Sequence, residues 1–519
     1  MRLLESTIDF VAQGGAGAPA WRGRTAVREE LLDFATAAHR AGGRIAAIWG
    51  GDARRESGTF SLHCVFGLDE GHAWVTLDLP AGDPVHPDLS GLFPAANRMQ
   101  RATFDLVGIA SDGPDQRPWL RHGGWPAGWF PLRHDAGAAP THANRPTDYA
   151  FVQVGGEGAH EIPVGPIHAG IIEPGHFRFS VVGERVLRLE QRLGYQHKGV
   201  ERLLIGADIA RGAQLAGRVS GDTSVGYAWA YAMAVEAACG VEPSPRALAL
   251  RALLLERERV ANHLGDLGAL GNDAAFGFGL TQFSRLREEW QRLNLRLFGH
   301  RMLMDRIVPG GVAVDADDAA LDAIAVQCME FADAVRTLRE IYDDHAGLQD
   351  RFATTGIIDA ALARELSLTG MAARSAGLLL DGRAHRQGYT PPAPWAALGV
   401  RPVTDEGGDV AARVAVRFDE ILESLRLLRA IAAGLPAGAT RLEVAPRPGG
   451  AGLGVVEAWR GEVVVGVEID GAGRLARCHP HDPSWQAWLA LEHAVPRDIV
   501  PDFPLINKSF NLSYSGADL

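Results

Sequence analysis

DVAARVAVRFDEILESLRLL, residues 409–428, decides how the larger part of the chain folds. Its apolar residues Val414, Phe418, Ile421, Leu425 and Leu428 step by 4, 3, 4 and 3, which lays a single stripe along a helix. Gly434 and Pro436 follow where such a helix must stop. Phe283, Leu286, Trp290, Leu293 and Leu297 repeat the pattern with steps of 3, 4, 3 and 4. A third helix is predicted over 247–270, with Val260, Leu264 and Leu267 on one face and Arg257, Glu258 and Arg259 beside it. A helical bundle is therefore expected at the centre of a domain covering 151–519. Strand-like stretches open that domain at 151–154, 167–172 and 177–182. Near its end, 462–469 and 474–479 flank Asp470-Gly471-Ala472-Gly473 as a hairpin. The tail from Pro501 to Leu519 carries no regular period.

The N-terminal part reads differently. A helix is predicted over 24–40 and strands over 44–49, 59–67 and 72–79. Phe60, Leu62, Cys64 and Phe66 alternate with polar neighbours, as do Ala73, Val75, Leu77 and Leu79, and Asp69-Glu70-Gly71 turns between them. A helix over 95–107 leads into a Gly/Pro/Trp-rich segment. DAGAAPTHANRPTDYA, with Pro140 and Pro146, reads as a linker. The expected fold class is α+β: a small α/β domain over 1–135, a linker over 136–150, and a large, mainly helical domain with flanking hairpins over 151–519.

Composition narrows the function. At 519 residues the chain exceeds one compact core. Lys+Arg 51 against Asp+Glu 63 gives a net charge of -12, which repels phosphate backbones and excludes nucleic acid as an expected partner. Cys64, Cys239, Cys328 and Cys478 lie far apart, with no CxxC pair for a disulfide scaffold or a zinc knuckle. Glu5 and Asp9 interrupt any secretory signal. The most apolar window, Val225 to Val235, is about half the ~20 residues of a bilayer span, so no direct membrane span is expected and any association is peripheral. GxGxxG after a strand, GxxxxGK[ST], HExxH and GxSxG are all absent.

Longer blocks carry a resemblance. FPAANRMQRATFDLVGI (93–109) and RPWLRHGGWPAGWFPLR (117–133) resemble the small quinone-module subunit of respiratory complex I. IPVGPIHAGIIEPGHFRF (162–179), LGYQHKGVERL (193–203), ERERVANHLGDLGALGND (256–273), RMLMDRIVPGGV (301–312), the 409–428 helix, VVEAWRGE (455–462) and HDPSWQAW (481–488) resemble the large subunit of group 4 membrane-bound nickel–iron hydrogenases. The large quinone-module subunit of complex I matches nearly as well. The two modules are fused, as in formate hydrogenlyase large subunits, which implies a small complex I-like domain and a hydrogenase-large-subunit-like domain.

That family holds nickel and iron with two CxxC pairs, because soft thiolates suit these ions. Here RVSGDT (218–223) puts Ser220 and Thr223 at the first pair, with Gly217 where a proton-relay glutamate would stand. NLSYSGADL (511–519) puts Ser513 and Gly516 at the second. A hydroxyl keeps its proton near pH 7 and glycine offers no ligand, so no metal is expected and hydrogen is not activated. The sequence given stops three residues past Gly516, so none of the family's cleavable C-terminal extension is expected.

The resemblance implies a subunit of a membrane-associated, energy-converting respiratory assembly, on the cytoplasmic side of the inner (plasma) membrane. Its partners would be an iron–sulfur small subunit carrying [4Fe-4S] clusters and integral membrane ion-pumping subunits. No cofactor would be bound by this chain itself, although quinone is possible. Candidate cavity residues are His168, His197, Arg218 and Arg460, with His176 a further block histidine; either arginine could instead pair with Glu201 or Asp222. Ser220, Thr223, Ser513 and Ser515 could line a polar pocket or cap turns. Against complex I, His168 aligns with the first histidine of the quinone hairpin, Ile172 with the second, and the RVSGDT loop has no tyrosine. Trp119, Trp125 and Trp129 could anchor a partner or seal the domain junction. Electron transfer to an unidentified acceptor or conformational coupling to ion pumping is the leading reading. A redox-silent scaffold and an NADH:quinone oxidoreductase-type subunit with altered quinone contacts stay open.

Overall fold

A computed structural model describes residues 3–122, 125–138, 149–168 and 172–519. The N-terminal part is a five-stranded sheet in the order β1-β2-β5-β4-β3, formed by β1 Phe10–Ala12, β2 Ala20–Thr25, β3 Arg44–Ala53, β4 Thr59–Leu68 and β5 Gly71–Pro80. Within this sheet only β2 and β5 run parallel. The β4–β5 hairpin turns where the sequence places it. Helix α1, Arg28–Arg40, covers one face, with Phe34 packed against Phe10 and Phe66. It starts four residues later than the apolar spacing predicts, because Arg24 and Thr25 belong to β2 and the Thr25 hydroxyl accepts from the Val27 amide. Helix α2, Ala96–Val107, follows the short strand β6, Val85–His86, which pairs with β7, Ala110–Ser111.

The second part opens with an antiparallel sheet, β10-β9-β8, of β8 Ala159–Val164, β9 His176–Val182 and β10 Arg185–Arg192. Only the 177–182 expectation falls on a strand. Residues 151–154 are irregular. Ile167, His168 and Ile172 lie in a loop whose residues 169–171 fall outside the described chain. Pro166, without an amide hydrogen, ends the pairing just before them. Most of the expected linker, 139–148, is likewise outside the described residues.

Short helices α3 Val200–Leu204 and α4 Ile209–Ala216 precede the bundle of α5 Ser224–Cys239, α6 Pro245–Asp273, α7 Gly277–Phe298 and, beyond β11 Ile307–Val308 and β12 Gly311–Val312, α8 Asp318–Asp344. Four short helices follow: α9 Ala346–Phe352, α10 Ala360–Glu365, α11 Gly370–Arg374 and α12 Trp395–Leu398. Helix α13, Val410–Ala433, then returns across α6 and α8 with its predicted stripe buried. Ser244, Asp317 and Asp409 cap α6, α8 and α13 by accepting from backbone amides three residues on. The last sheet, β13 Ala451–Glu457, β14 Glu462–Ile469 and β15 Leu475–His481, contains the expected hairpin plus one strand more. Helix α14, Ser484–Ala494, leads to a tail that is helical, α15 Phe503–Phe510 and α16 Tyr514–Asp518. Eight and five residues are too few to show a period in sequence.

The two parts are packed on each other. Trp49, Val65 and Trp74 from the first sheet share a buried cluster with Leu453, Val455 and Val464 from the last. The Trp49 ring lies between His63 at 5.1 Å and His479 at 5.0 Å, nearly parallel to both. Among the described residues no helix is long and apolar enough to cross a membrane.

Candidate functional site

Three loops converge on one point: the α4–α5 connection with Ser220, Asp222 and Thr223, the β13–β14 turn with Arg460, and the tail from Asn511 to Gly516. Arg460 is the buried hub. Its Nη1 and Nη2 donate to the two Asp222 carboxylate oxygens at 2.9 and 2.5 Å, and Nε donates to the Asn511 carbonyl at 2.5 Å. The guanidinium also lies over the Trp459 ring at 4.0 Å. Burial would raise the Asp222 pKa, but the bidentate Arg460 overrides it and holds the carboxyl well below the usual range.

The positions expected to have lost their thiols are gathered around this pair. Ser220 Oγ donates to Asp222 at 2.7 Å and lies 2.9 Å from Ser513 Oγ, which accepts from the Gly516 amide at 2.9 Å. With the Ser220 proton committed to Asp222, the Ser513 hydroxyl donates to Ser220. Thr223 Oγ1 donates to Asp222 at 3.0 Å and accepts from Trp459 Nε1 at 3.1 Å and Arg460 Nη1 at 3.0 Å. Gly516 has no room for a side chain: a Cβ there would stand 2.6 Å from Asp482 Oδ2, which Tyr227 holds with a 2.6 Å hydrogen bond. The metal site implied by the resemblance therefore does not fit. Its corners are the Ser220 and Ser513 hydroxyls bonded to each other, the Thr223 hydroxyl bonded to Asp222, and a glycine pressed against a carboxylate.

Beside this network opens a cavity of about 920 Å³. Ser220, Asp222, Arg460, Ser513 and Ser515 line one side of it, and Asn507, Lys508 and Asn511 of the tail line another. Val164, Ile172, Leu280, Met302, Phe503 and Leu512 supply apolar wall. Asp222 is about 30% exposed and faces this space. Tyr514 also lines it. Its hydroxyl is buried beside the Asn507 side chain, and burial pushes its pKa up to about 12. Burial also raises Asp273 on the wall.

The expected candidates divide. His168 lines the cavity, its Nε2 bonded to the Gly175 carbonyl at 2.9 Å. Arg460 lines it too, paired with Asp222, one of the two carboxylates proposed for it. His197 and Arg218 do not. His197 Nδ1 bonds the Asp518 carbonyl at 2.8 Å behind the C-terminal helix, facing Trp125. Arg218 leaves the opposite side of its loop, 42% exposed, and pairs with Asp305 at 2.6 Å rather than with Glu201 or Asp222. Glu201 instead holds Arg477 and His479. His176 is tied to the Gly165 carbonyl away from the cavity. Trp119 is buried at the junction under Arg98 and Arg101.

The sequence reading missed Tyr514 and Asp222 as site residues, although both lie inside the two blocks that it quotes. It sought a tyrosine only in the RVSGDT loop, whereas the structure brings one from the opposite end of the chain.

Residues 25–142 match the family described as respiratory-chain NADH dehydrogenase, 30 Kd subunit, and residues 273–447 match the 49 Kd subunit family. Formate hydrogenlyase subunit 5 of Escherichia coli (strain K12) is 29% identical over 94% of this chain and 87% of its own. Hydrogenase-4 component G of the same organism is 30% identical over 92% of this chain and 84% of its own. A chain from the structure of the membrane-bound sulfane sulfur reductase (MBS), an archaeal respiratory membrane complex, shares the fold with a TM-score of 0.65. It is 24% identical and covers 70% of this chain and 99% of that one. The chain therefore belongs to the family of formate hydrogenlyase and hydrogenase-4 large subunits, related to complex I, with its 30 and 49 kDa modules fused in one polypeptide.

Proposed function

We propose that this chain is a subunit of a membrane-associated, energy-converting respiratory assembly in which hydrogen activation has been replaced by binding of a small electron acceptor. The observation that carries the reading is the cavity of about 920 Å³ beside the four altered ligand positions. Convergent polar side chains beside an apolar wall around such a space are the makeup of a small-molecule site. Electrons would come from [4Fe-4S] clusters of an iron–sulfur partner subunit, and ion-pumping membrane subunits would lie below, on the cytoplasmic side of the membrane. The chain itself would bind no nickel or iron.

The residues on the wall suggest how an acceptor is held. The Tyr514 hydroxyl, beside Asn507, can donate to an acceptor oxygen as negative charge develops there. Asp222, already satisfied by Arg460, Ser220 and Thr223, fixes the polar rim rather than offering a free base. The apolar wall suits a ring or an alkyl body. A quinone is a second reading, favoured by His168 and Tyr514 lining the same space while Ile172 stands at the second histidine position.

Metal analysis and turnover of the purified complex test both claims. We expect far less than one nickel per complex, no hydrogen uptake, and acceptor reduction that falls roughly 10-fold or more in Tyr514→Phe with its melting temperature unchanged. Stoichiometric nickel, or full turnover in Tyr514→Phe, would overturn the reading. A quinone-site inhibitor that binds wild type and not Tyr514→Phe would select quinone among the acceptors.

A further inference from the structure

On the far side of the bundle, α8 and α13 enclose an open groove of about 620 Å³ with the loop 401–404 as its third wall. Its floor is apolar, with Cys328, Ala332, Leu422 and Leu425. The Cys328 thiol is pushed up to about 11 by burial, so it stays protonated and adds to that floor. The rim carries Arg336, Arg401, Arg426 and Arg429 against only two acids, Asp419 and Glu423. Both acids are already engaged. Asp419 is bonded to Arg339 from α8, and Glu423 accepts from Arg426 at 2.6 Å and from the Arg401 amide at 2.9 Å. Arg336 has only Asp333, an exposed neighbour three residues away on its own helix. The guanidiniums of Arg401 and Arg429 have no hydrogen-bond or ion-pair partner among the described residues, and both side chains are exposed.

With both rim acids engaged, Arg401 and Arg429 leave unpaired positive charge on this groove of a chain of net charge -12, which favours an anionic ligand there. We propose that this groove is a docking site for an acidic segment of another polypeptide, its apolar residues on the Leu422–Leu425 floor and its carboxylates on Arg336, Arg401 and Arg429. The shape favours a peptide over a compact phosphate ligand. The arginines come from three elements, Arg336 on α8, Arg401 on the loop, and Arg426 and Arg429 on α13, instead of meeting at one buried point. From Asp419 to Arg429 the helix runs about 15 Å, the reach of four or five extended residues. Guanidinium forks suit carboxylates bidentately.

The test uses the full chain and a fluorescein-labelled peptide of sequence ELEDLLEE, with KLKKLLKK as the reversed-charge control and adenosine triphosphate as competitor. We expect the acidic peptide to bind and the basic one not to. Affinity should weaken with added salt and fall at least 10-fold in the double variant Arg401→Glu, Arg429→Glu. Arg285→Glu, on an exposed pair of α7, should leave binding unchanged, and both variants should melt as wild type does. Equal binding in the double variant, no binding to wild type, or tight adenosine triphosphate binding without peptide binding would each overturn the proposal.

Discussion

Glu258 is the residue whose environment makes the sharpest claim. Its carboxylate oxygens accept from the Val225 and Gly226 amides at 2.7 and 3.1 Å, at the start of α5, yet burial outweighs both bonds and pushes its pKa up to about 8. The unfolded chain releases that proton near its ordinary value of 4.5, while the folded chain keeps it to about 8. This group's stabilising effect is therefore full below pH 4.5 and is lost as pH rises through that window, at up to ~1.4 kcal/mol per pH unit. Glu258→Gln should remove this slope between pH 5 and 8. It should also cost about 1–2 kcal/mol at pH 5, since an amide NH₂ replaces one acceptor. Urea midpoints across that range measure both effects, and an unchanged slope would contradict the assignment. Arg460 and Asp222 behave oppositely: Arg460→Met should destabilise by roughly 2–4 kcal/mol, because it strands a carboxylate together with the two hydroxyls bonded to it. Arg460, Ser220 and Ser513 were legible as site residues because a block fixes which loop they occupy. Arg218 was not. Only two positions before Ser220, it turns to Asp305, and nothing in a sequence states which side of a turn a side chain leaves.

At the scale of elements, the long striped helices were readable and the pieces wedged between them were not. α5 is apolar on every side, so it has no stripe, and β13 was overlooked because Gly452 and Gly454 dilute its strand character. The two omissions have one cause. α5 lies directly on β13, and a Cβ at Gly454 would stand 1.9 Å from the Ala230 carbonyl, one at Gly452 2.2 Å from that of Ala234. The glycines exist to let a helix backbone approach a strand, and the same approach lets the neighbouring turn carry Arg460 to the α4–α5 loop. Gly454→Ala should therefore cost about 3 kcal/mol by forcing α5 away. Gly471→Ala, in a hairpin turn with open space around it, should be close to neutral. Denaturant midpoints of the two variants separate close packing from a general intolerance of alanine.

For the whole molecule, the alternation in the first sheet does not mark a buried face against an open one. Ser61, His63 and Thr76 alternate with apolar residues, as expected, but they are buried as well, because the last sheet of the second part covers that face. The covering seam is ionic at its edge. Glu462 pairs with Arg44 at 2.7 Å and with His72 at 3.1 Å, and Arg477 donates to the Gly50 carbonyl at 2.7 Å while Glu201 holds it. Burial alone would raise both carboxyl pKa values. Arg44 and His72 instead hold Glu462 well below its usual range, and Arg477 and His479 bring Glu201 down to about 2. Groups depressed in this way contribute stability above their unfolded value of 4.5, and lose it as pH falls through their folded values. The seam should accordingly hold the two modules in one cooperative unit at pH 7 and weaken between pH 4 and 2. Scanning calorimetry should show a single transition at pH 7 and two at low pH, the first belonging to the N-terminal sheet. Glu462→Gln should bring that separation to higher pH, because Arg44 and His72 then face no charge across the seam. Two transitions already present at pH 7 in the wild type would mean that these carboxylates do not couple the fused modules, and a single transition persisting to pH 2 would mean that the Trp49 stack and the apolar cluster, rather than the carboxylates, hold them as one.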